Sequence, residues 1–215
     1  MSFSGSLRHP VGLSLMTLFL AAAPSLFLRT LPTPSLLQSL IVLGASIFFM
    51  LFIPAAIIRL IYGSPISTFG LALPRDLREA AKLMLIALLA LIPIAILLST
   101  QGAFRTYYSR YDISIPSFLI DAGLFALLYY IAEGFLFFGF LFFGLWPRLR
   151  YHSFWIVSTL FSLLHFAKPP LEILLSFFSA LLFCHLSLKT KSIFPAALVH
   201  FIIAFILNVL VTFWS

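Results

Sequence analysis

The sequence predicts an all-α membrane protein of the polytopic class, and two observations support this. Hydrophobic residues make up 62% of the 215 residues and charged residues only 9%, so there are too few polar side chains to cover a water-exposed surface. Long apolar runs also recur along the chain, and about 20 apolar residues suffice for one helix to cross a bilayer. We therefore expect a transmembrane bundle of about seven spans that fills residues 1–215 as one integral membrane domain.

The apolar runs give the predicted helices in chain order. They lie near residues 11–28, 36–61, 83–99, 118–146, 153–167, 171–188 and 192–214. The first run is interpreted as a true span rather than a cleaved signal peptide, because Pro24 directly follows the small residues Ala21 to Ala23. The only sizeable connections, near 61–75 and 100–116, do not resemble a separate soluble domain.

The formal net charge of +7 orients the chain in the membrane. No basic stripe or soluble module of a nucleic-acid-binding protein is found, so the lipid bilayer and not nucleic acid is the expected partner. With the N-terminus inside, nine of the thirteen basic residues share its side: Arg8, Arg59, Arg75, Arg78, Lys82, Arg148, Arg150, Lys189 and Lys191. The other four are Arg29, Arg105, Arg110 and Lys168. Because positive charge accumulates on cytoplasmic loops, we expect a cytoplasmic N-terminus.

An acidic residue, Glu133, lies in the middle of the apolar run from Phe118 to Trp146. An acid at the centre of a membrane helix costs roughly 2.5–3.5 kcal/mol on insertion scales, so such residues usually mark a functional site. Two histidines, His165 and His200, also lie in hydrophobic runs. One carboxylate and two imidazoles form a candidate catalytic centre.

The known chemistries of intramembrane proteases can be compared with these residues. The zinc type needs His-Glu-x-x-His on one helix, and no such run occurs. The serine type needs Gly-x-Ser-Gly, whereas Gly44-Ala45-Ser46 is followed by Ile47. The aspartyl type needs two membrane aspartates, whereas Asp112 falls in a predicted loop and Gly-x-Gly-Asp is absent. What remains is a glutamate that acts with histidines.

Three segments give a specific resemblance. Residues 132–140, Ala-Glu-Gly-Phe-Leu-Phe-Phe-Gly-Phe, resemble the first signature of the CAAX protease and bacteriocin-processing membrane family, Glu-Glu-x-x-x-Arg-Gly. Residues 161–165, Phe-Ser-Leu-Leu-His, match its Phe-x-x-x-His signature. Residues 191–200, which end at His200, are similar to the run that opens the third signature. Order and spacing agree over about residues 118–210, the family-like catalytic core.

The resemblance implies an intramembrane endopeptidase of the glutamate type without a cofactor. Glu133 is then the general base, His165 helps it to activate water, and His200 stabilises the oxyanion. The implied substrate is a membrane-anchored peptide or protein, cleaved at a tail or leader. The family's second glutamate, arginine and asparagine are replaced here by Gly134, Phe138 and Ala204. Since the asparagine shares the oxyanion role, Ala204 predicts a loss of about 100- to 1,000-fold in rate.

The implied chemistry sets geometric expectations. Glu133 needs at least one of the two histidines within hydrogen-bond reach, directly or through a water. Glu133 and His200 lie at the same depth, roughly 20 Å from the outer ends of their helices. The fifth helix must end before Lys168-Pro169-Pro170, inside the bilayer if His165 is to join them. We therefore expect a polar cavity among the fourth, fifth and seventh spans, bordered by Lys168 to Pro170.

Other interpretations stay open. A non-catalytic relative, such as a membrane scaffold, immunity or maturation partner, is favoured by Gly134, Phe138 and Ala204. A transporter could use the buried acid as a proton relay, although the expected inverted repeat is not seen. Glu133 with His165 and His200 could also hold zinc, with water as the fourth ligand. Finally, Glu133 could be a protonated carboxyl bonded to Tyr129 or Tyr130. For all of these, we expect a prokaryotic cytoplasmic (inner) membrane.

Overall fold

Seven apolar helices, named α1 to α7 below, form the bundle in the part of the chain that the structure describes. The structure is a computed structural model that describes residues 9–25, 36–108 and 114–214, and no strand occurs in these ranges. The helices are α1 Pro10–Ala22, α2 Leu37–Tyr62, α3 Leu77–Ser99, α4 Ile115–Leu149, α5 His152–Leu164, α6 Pro170–Thr190 and α7 Phe194–Phe213. A short connecting helix, Gly102–Tyr108, lies between α3 and α4. The predicted all-α polytopic fold is confirmed.

Five of the seven helices are long and apolar enough to cross a membrane, and they are α2, α3, α4, α6 and α7. The helices α1 and α5 are shorter; the 13 residues of α5 extend only about 20 Å. Large apolar side chains point outward, including Leu60, Leu89 and Phe178, as expected where lipid is the solvent. The protein is therefore an integral membrane protein. Residues 26–28 of the first predicted span, Arg8, Arg29, Arg110 and Asp112 lie outside the described residues.

Two prolines explain why α5 is short. Pro169 and Pro170 follow it, and α6 begins at Pro170. A proline disfavours helical backbone in the residue before it and cannot donate a backbone hydrogen bond. The chain therefore turns between Leu164 and Pro170. The predicted early end of the fifth helix is correct, and it places His165 at the last turn of α5.

The centre of the bundle is α4. Its residues 135–142 are almost completely buried, so this phenylalanine-rich run is core and not lipid-facing. Two stretches of α4, Leu119–Phe125 and Phe135–Leu141, are π-helical, and they flank the α-helical segment Ala126–Gly134. Such π-helical turns frequently occur at functional sites. Glu133 lies at the end of this α-helical segment.

Close packing at Gly134 brings α4 and α7 together. A Cβ atom at Gly134 would lie 3.2 Å from the Cβ of Ala197 in α7, which is tighter than ordinary van der Waals contact. Farther along α4, a Cβ at Gly139 would lie 2.8 Å from the carbonyl oxygen of Phe69. Glycines that permit close helix approach are common in membrane bundles. Since Gly134 and Ala197 are near Glu133 and His200 in sequence, their contact positions the site.

The two ends of the bundle differ in charge. At one end, the backbone N–H of Ile193 donates to the carbonyl of Gly70 (2.9 Å) and joins the connections that follow α6 and α2. This end, the basic face, carries eight described basic residues: Arg59, Arg75, Arg78, Lys82, Arg148, Arg150, Lys189 and Lys191. At the opposite end, the described residues include two basic side chains, Arg105 and Lys168.

Candidate active site

The carboxylate of Glu133 is buried between α4 and α7. The hydroxyl of Tyr129, one turn earlier in α4, donates a hydrogen bond to Oε1 (3.0 Å). Nδ1 of His200 lies 3.2 Å from Oε2. The contact does not have the geometry of a hydrogen bond, and Oε2 has no hydrogen-bond partner among the described residues. The contact with His200 is therefore a close carboxylate–imidazole pair rather than a well-formed hydrogen bond.

Aromatic rings hold the imidazole of His200 in place. Its ring centroid lies 4.1 Å from that of Tyr130, 5.2 Å from that of Phe183 and 5.7 Å from that of Phe161. These rings come from α4, α6 and α5, so three helices fix the orientation of a side chain from α7. Since Nδ1 faces Glu133, Nε2 is the ring nitrogen that remains for a ligand.

His165 occupies the end of α5 and is held by its own helix. Its Nδ1 lies 3.0 Å from the carbonyl oxygen of Phe161. A carbonyl can only accept, so Nδ1 carries the proton and Nε2 of the neutral ring is an acceptor. The ring also lies 4.8 Å from that of Phe161, the ring that contacts His200. The structure thus places His165 beside His200, whereas the described contacts of the carboxylate are with Tyr129 and His200.

A cavity adjoins the two histidines. Its lining includes Tyr130, His165, Lys168, His200 and Ala204. Its volume is about 100 Å³, and since about 10–15 Å³ suffices for one water, several fit. Glu133 lies behind this wall, in contact with His200. As predicted, the fourth, fifth and seventh spans (α4, α5, α7) line the cavity and Lys168 borders it, but Pro169 and Pro170 do not.

The predicted set of lining helices is nevertheless incomplete, because α3 and α6 also form much of the cavity wall. Both helices contribute mainly apolar side chains, including Leu91, Ile94 and Leu98 from α3 and Leu175 and Phe183 from α6. The short connecting helix adds Phe104 and Tyr108. The cavity therefore extends from the histidines towards the end of the bundle opposite the basic face.

Sequence reasoning missed a second polar cluster at the cavity. The Glu172 carboxylate accepts hydrogen bonds from Lys168 Nζ and from the Tyr108 hydroxyl, both at 2.7 Å. Burial alone would lower the pKa of Lys168, but the neighbouring Glu172 carboxylate raises this pKa above its ordinary value. The i, i+4 spacing of Lys168 and Glu172 is a sequence signal for such a pair. Tyr108, distant in the chain, gives no local signal.

The residues that depart from the family signatures mostly pack against neighbouring helices. The ring of Phe138 lies 5.3 Å from the rings of both Phe161 and Phe183, and Gly134 packs on Ala197. Ala204 lines the cavity, while Asn208 donates its side-chain amide to the carbonyl of Ala204 in its own helix (2.8 Å). Asn208 therefore does not replace the missing asparagine.

The zinc alternative finds no ligand set in this geometry. Within residues 9–25, 36–108 and 114–214, no three side chains of the His, Cys, Asp and Glu types lie close enough together to hold a metal ion. Asp121, a second carboxylate of α4, is not among the cavity-lining residues. The pair that the structure brings together is Glu133 with His200.

Fold and site together define a polytopic helical membrane protein with a buried carboxylate–imidazole centre. Residues 115–206 match the family model described as type II CAAX prenyl endopeptidase Rce1-like. This segment, less than half of the chain, contains Glu133, His165 and His200, so the resemblance predicted from the three motifs is confirmed for residues 115–206. At the level of the family, this supports a CAAX-type intramembrane protease. Neither a curated protein nor a solved structure matches the chain.

Proposed function

We propose that this protein is an intramembrane endopeptidase of the glutamate type, which cleaves a tail or leader of a membrane-associated peptide or protein. The observation that most supports the proposal is the 3.2 Å contact between Glu133 and His200. It lies beside a cavity with room for water, and His165 lines the same cavity. All three residues fall within the segment that matches the endopeptidase family.

The proposed reaction is the attack of water on a peptide carbonyl. A water that enters between Glu133 and His165 donates one hydrogen bond to Nε2 of His165 and gives its proton to the Glu133 carboxylate. The hydroxide oxygen bonds to the carbonyl carbon, and the electron pair of the C=O π bond moves to oxygen. When the tetrahedral intermediate collapses, the C–N bond breaks and the leaving nitrogen takes the proton from Glu133. General base catalysis of this kind contributes about 100- to 10,000-fold.

His200 has a separate role in this scheme. Once Glu133 is protonated, its O–H can donate to Nδ1 of His200, which leaves Nε2–H of the neutral ring as a donor. Such a donor stabilises the oxyanion that forms on the substrate. The contact of His200 with Glu133 would thus couple uptake of the proton to stabilisation of the intermediate.

We further propose a cytoplasmic N-terminus in a prokaryotic inner membrane. The positive-inside rule supports the orientation, because eight described basic residues lie on the basic face and two at the opposite end. The assignment to a prokaryotic inner membrane is supported by similarity to the signatures of a family that includes bacteriocin-processing proteins. In this orientation the cavity opens towards the extracytoplasmic end, and the substrate is a membrane-anchored polypeptide that reaches that end.

The alternative is a non-catalytic relative that acts as a membrane scaffold, immunity or maturation partner. The observation that favours it is the sealed environment of Glu133, whose Oε2 is buried from solvent. Ala204 adds no polar group at the cavity wall. Under this alternative, Tyr129 and His200 would simply satisfy a buried carboxyl.

The two functions can be separated in cells. The termini of membrane proteins would be compared by mass spectrometry in strains with the native chain, a deletion, Glu133→Gln and His165→Ala at matched expression. For a protease, a tail or leader is trimmed only with the native chain, and the trimmed protein is the substrate. If both point variants instead restore what the deletion loses, the scaffold alternative is supported.

A further inference from the structure

Hydroxyl groups in the cavity wall differ in whether they already have a partner. Tyr108 donates to Glu172, and Ser176 donates to the carbonyl of Ile173. The hydroxyls of Tyr130 and Ser179 also line the cavity, and they make no hydrogen bond with the described residues. Neither hydroxyl oxygen is fully buried. These two hydroxyls are therefore open to the cavity and available to a ligand.

Of these two, Tyr130 stands next to the reacting groups. It lies three residues before Glu133, and residues three apart share one side of an α-helix. Its ring centroid is 4.1 Å from that of His200, so the two rings touch and form one continuous surface of the cavity. Ser179 lies on α6 and forms no hydrogen bond with Glu133 or His200.

The need for such a donor follows from the cavity wall near His200. The residue one helical turn after His200 is Ala204, which also lines the cavity but offers no donor. A tetrahedral oxyanion stabilised by His200 alone would lack a second hydrogen bond, and loss of one such donor is costly in rate. A phenol hydroxyl beside the imidazole can supply this bond, because Tyr O–H is both a donor and an acceptor.

We propose that Tyr130 is a catalytic residue that donates a hydrogen bond to the substrate oxyanion, together with Nε2–H of His200. No proton is transferred by Tyr130, whose O–H remains intact while negative charge grows on the former carbonyl oxygen. This assignment rests on the proposed endopeptidase function, because it concerns the intermediate of that reaction.

Kinetics in proteoliposomes test the assignment. The probe is an internally quenched, S-farnesylated peptide that ends in Cys-Val-Ile-Met, and the variants are Tyr130→Phe, Ser179→Ala and Tyr151→Phe. Tyr130→Phe keeps the ring that packs on His200 and removes only the hydroxyl. We expect kcat to fall by about 100- to 1,000-fold with KM little changed. Tyr151→Phe, in which the lost hydroxyl lies on the exposed surface, keeps the native kcat. Ser179→Ala removes the other open hydroxyl of the cavity, and its kcat should fall less than that of Tyr130→Phe.

A second variant separates catalysis from structure. Ala204→Asn places an amide donor one turn after His200, on the wall that Tyr130 also lines. In the Tyr130→Phe background it should recover at least a tenfold increase in kcat. A merely structural defect of Tyr130→Phe would not be repaired by a new donor at position 204.

The outcomes distinguish this assignment from the proposed function. If the native chain cleaves the peptide and Glu133→Gln does not, but Tyr130→Phe retains the native kcat, the role of Tyr130 is wrong and the protease stands. Loss of kcat in Ser179→Ala instead of Tyr130→Phe would also overturn the assignment, as would a loss in Tyr130→Phe that Ala204→Asn does not repair. If the native chain is as inactive as Glu133→Gln, the proposed cleavage of such tails fails and the assignment fails with it.

Discussion

Oε2 of Glu133 lies 3.2 Å from Nδ1 of His200, a contact that joins the middle of α4 to the second turn of α7. The neighbouring contact of Gly134 with Ala197 keeps the two helices close, since a Cβ at position 134 would lie 3.2 Å from the Cβ of Ala197. The replacement of the family's second glutamate by glycine therefore does not disrupt the site. At the second departure from the signature, the ring of Phe138 packs against the rings of Phe161 and Phe183.

Tyr129 is expected to support the Glu133 carboxylate through the hydrogen bond to Oε1. Tyr129→Phe removes this bond and keeps the ring. Because hydrogen bonds to charged groups contribute about 1.5–3 kcal/mol, we expect kcat to fall by about 10- to 100-fold. The measurement is peptide cleavage in proteoliposomes, with the exposed Tyr151→Phe as the matched control. Equal activity of both variants would show that Oε1 needs no donor.

Metal chelators are expected to leave cleavage unchanged. The proposed reaction uses a carboxylate base and imidazole donors, and in the described part of the chain no three ligand side chains cluster for a metal ion. Activity would be measured after incubation with 1,10-phenanthroline and after dialysis against EDTA. Activity that disappears with chelator and returns with added Zn²⁺ would contradict the glutamate mechanism.

The ion pair between Lys168 and Glu172 is expected to stabilise the cavity wall. Glu172→Gln removes the charge that faces Lys168 Nζ at 2.7 Å, and we expect the free energy of unfolding to fall by about 1–3 kcal/mol. The double variant with Lys168→Met as well should recover part of this loss, because no uncompensated charge remains. Thermal unfolding in detergent measures the stability of the single and the double variant. If Glu172→Gln is as stable as the native chain, this role is contradicted.

The same pair predicts a pH dependence of stability. The pKa of Lys168 is raised in the folded protein by the Glu172 carboxylate. A raised lysine pKa means that the stabilisation is fully present below the unfolded value of about 10.4 and is lost as the pH rises through the folded value. The stability of the native chain and of the double variant would be measured from pH 8 to pH 11, and the native chain should lose more stability at the alkaline end. If stability depends on pH in the same way for both, the prediction is contradicted.

The orientation predicts which end of the bundle is accessible from outside the cell. In a Cys184→Ala background, Ser114→Cys at the cavity end should react with a membrane-impermeant maleimide in intact spheroplasts. Arg75→Cys on the basic face should react only after permeabilisation. Both positions are exposed, so differences in burial do not explain a difference in labelling. The reverse pattern would place the N-terminus outside.

Much of this structure could be predicted from the sequence. Hydropathy alone gives the helices, because lipid allows few other folds, and the two prolines predict the short α5. The common depth of Glu133 and His200 follows from their distance to the helix ends. The contributions of α3, α6 and Tyr108 could not be predicted, because they depend on the lateral arrangement of the helices, which hydropathy does not determine. For the same reason the pairing of Glu133 with His200, rather than with His165, required the structure.

The most direct test of the central claim compares the purified native chain with Glu133→Gln in proteoliposomes that contain the farnesylated peptide. Glutamine preserves the size of the side chain and can still accept from Tyr129, but it cannot take a proton from water. We predict that the native chain cleaves the peptide and that kcat of Glu133→Gln is lower by about 100- to 10,000-fold, whereas the surface control Glu79→Gln is unchanged. Equal cleavage by the native chain and Glu133→Gln would contradict the glutamate mechanism.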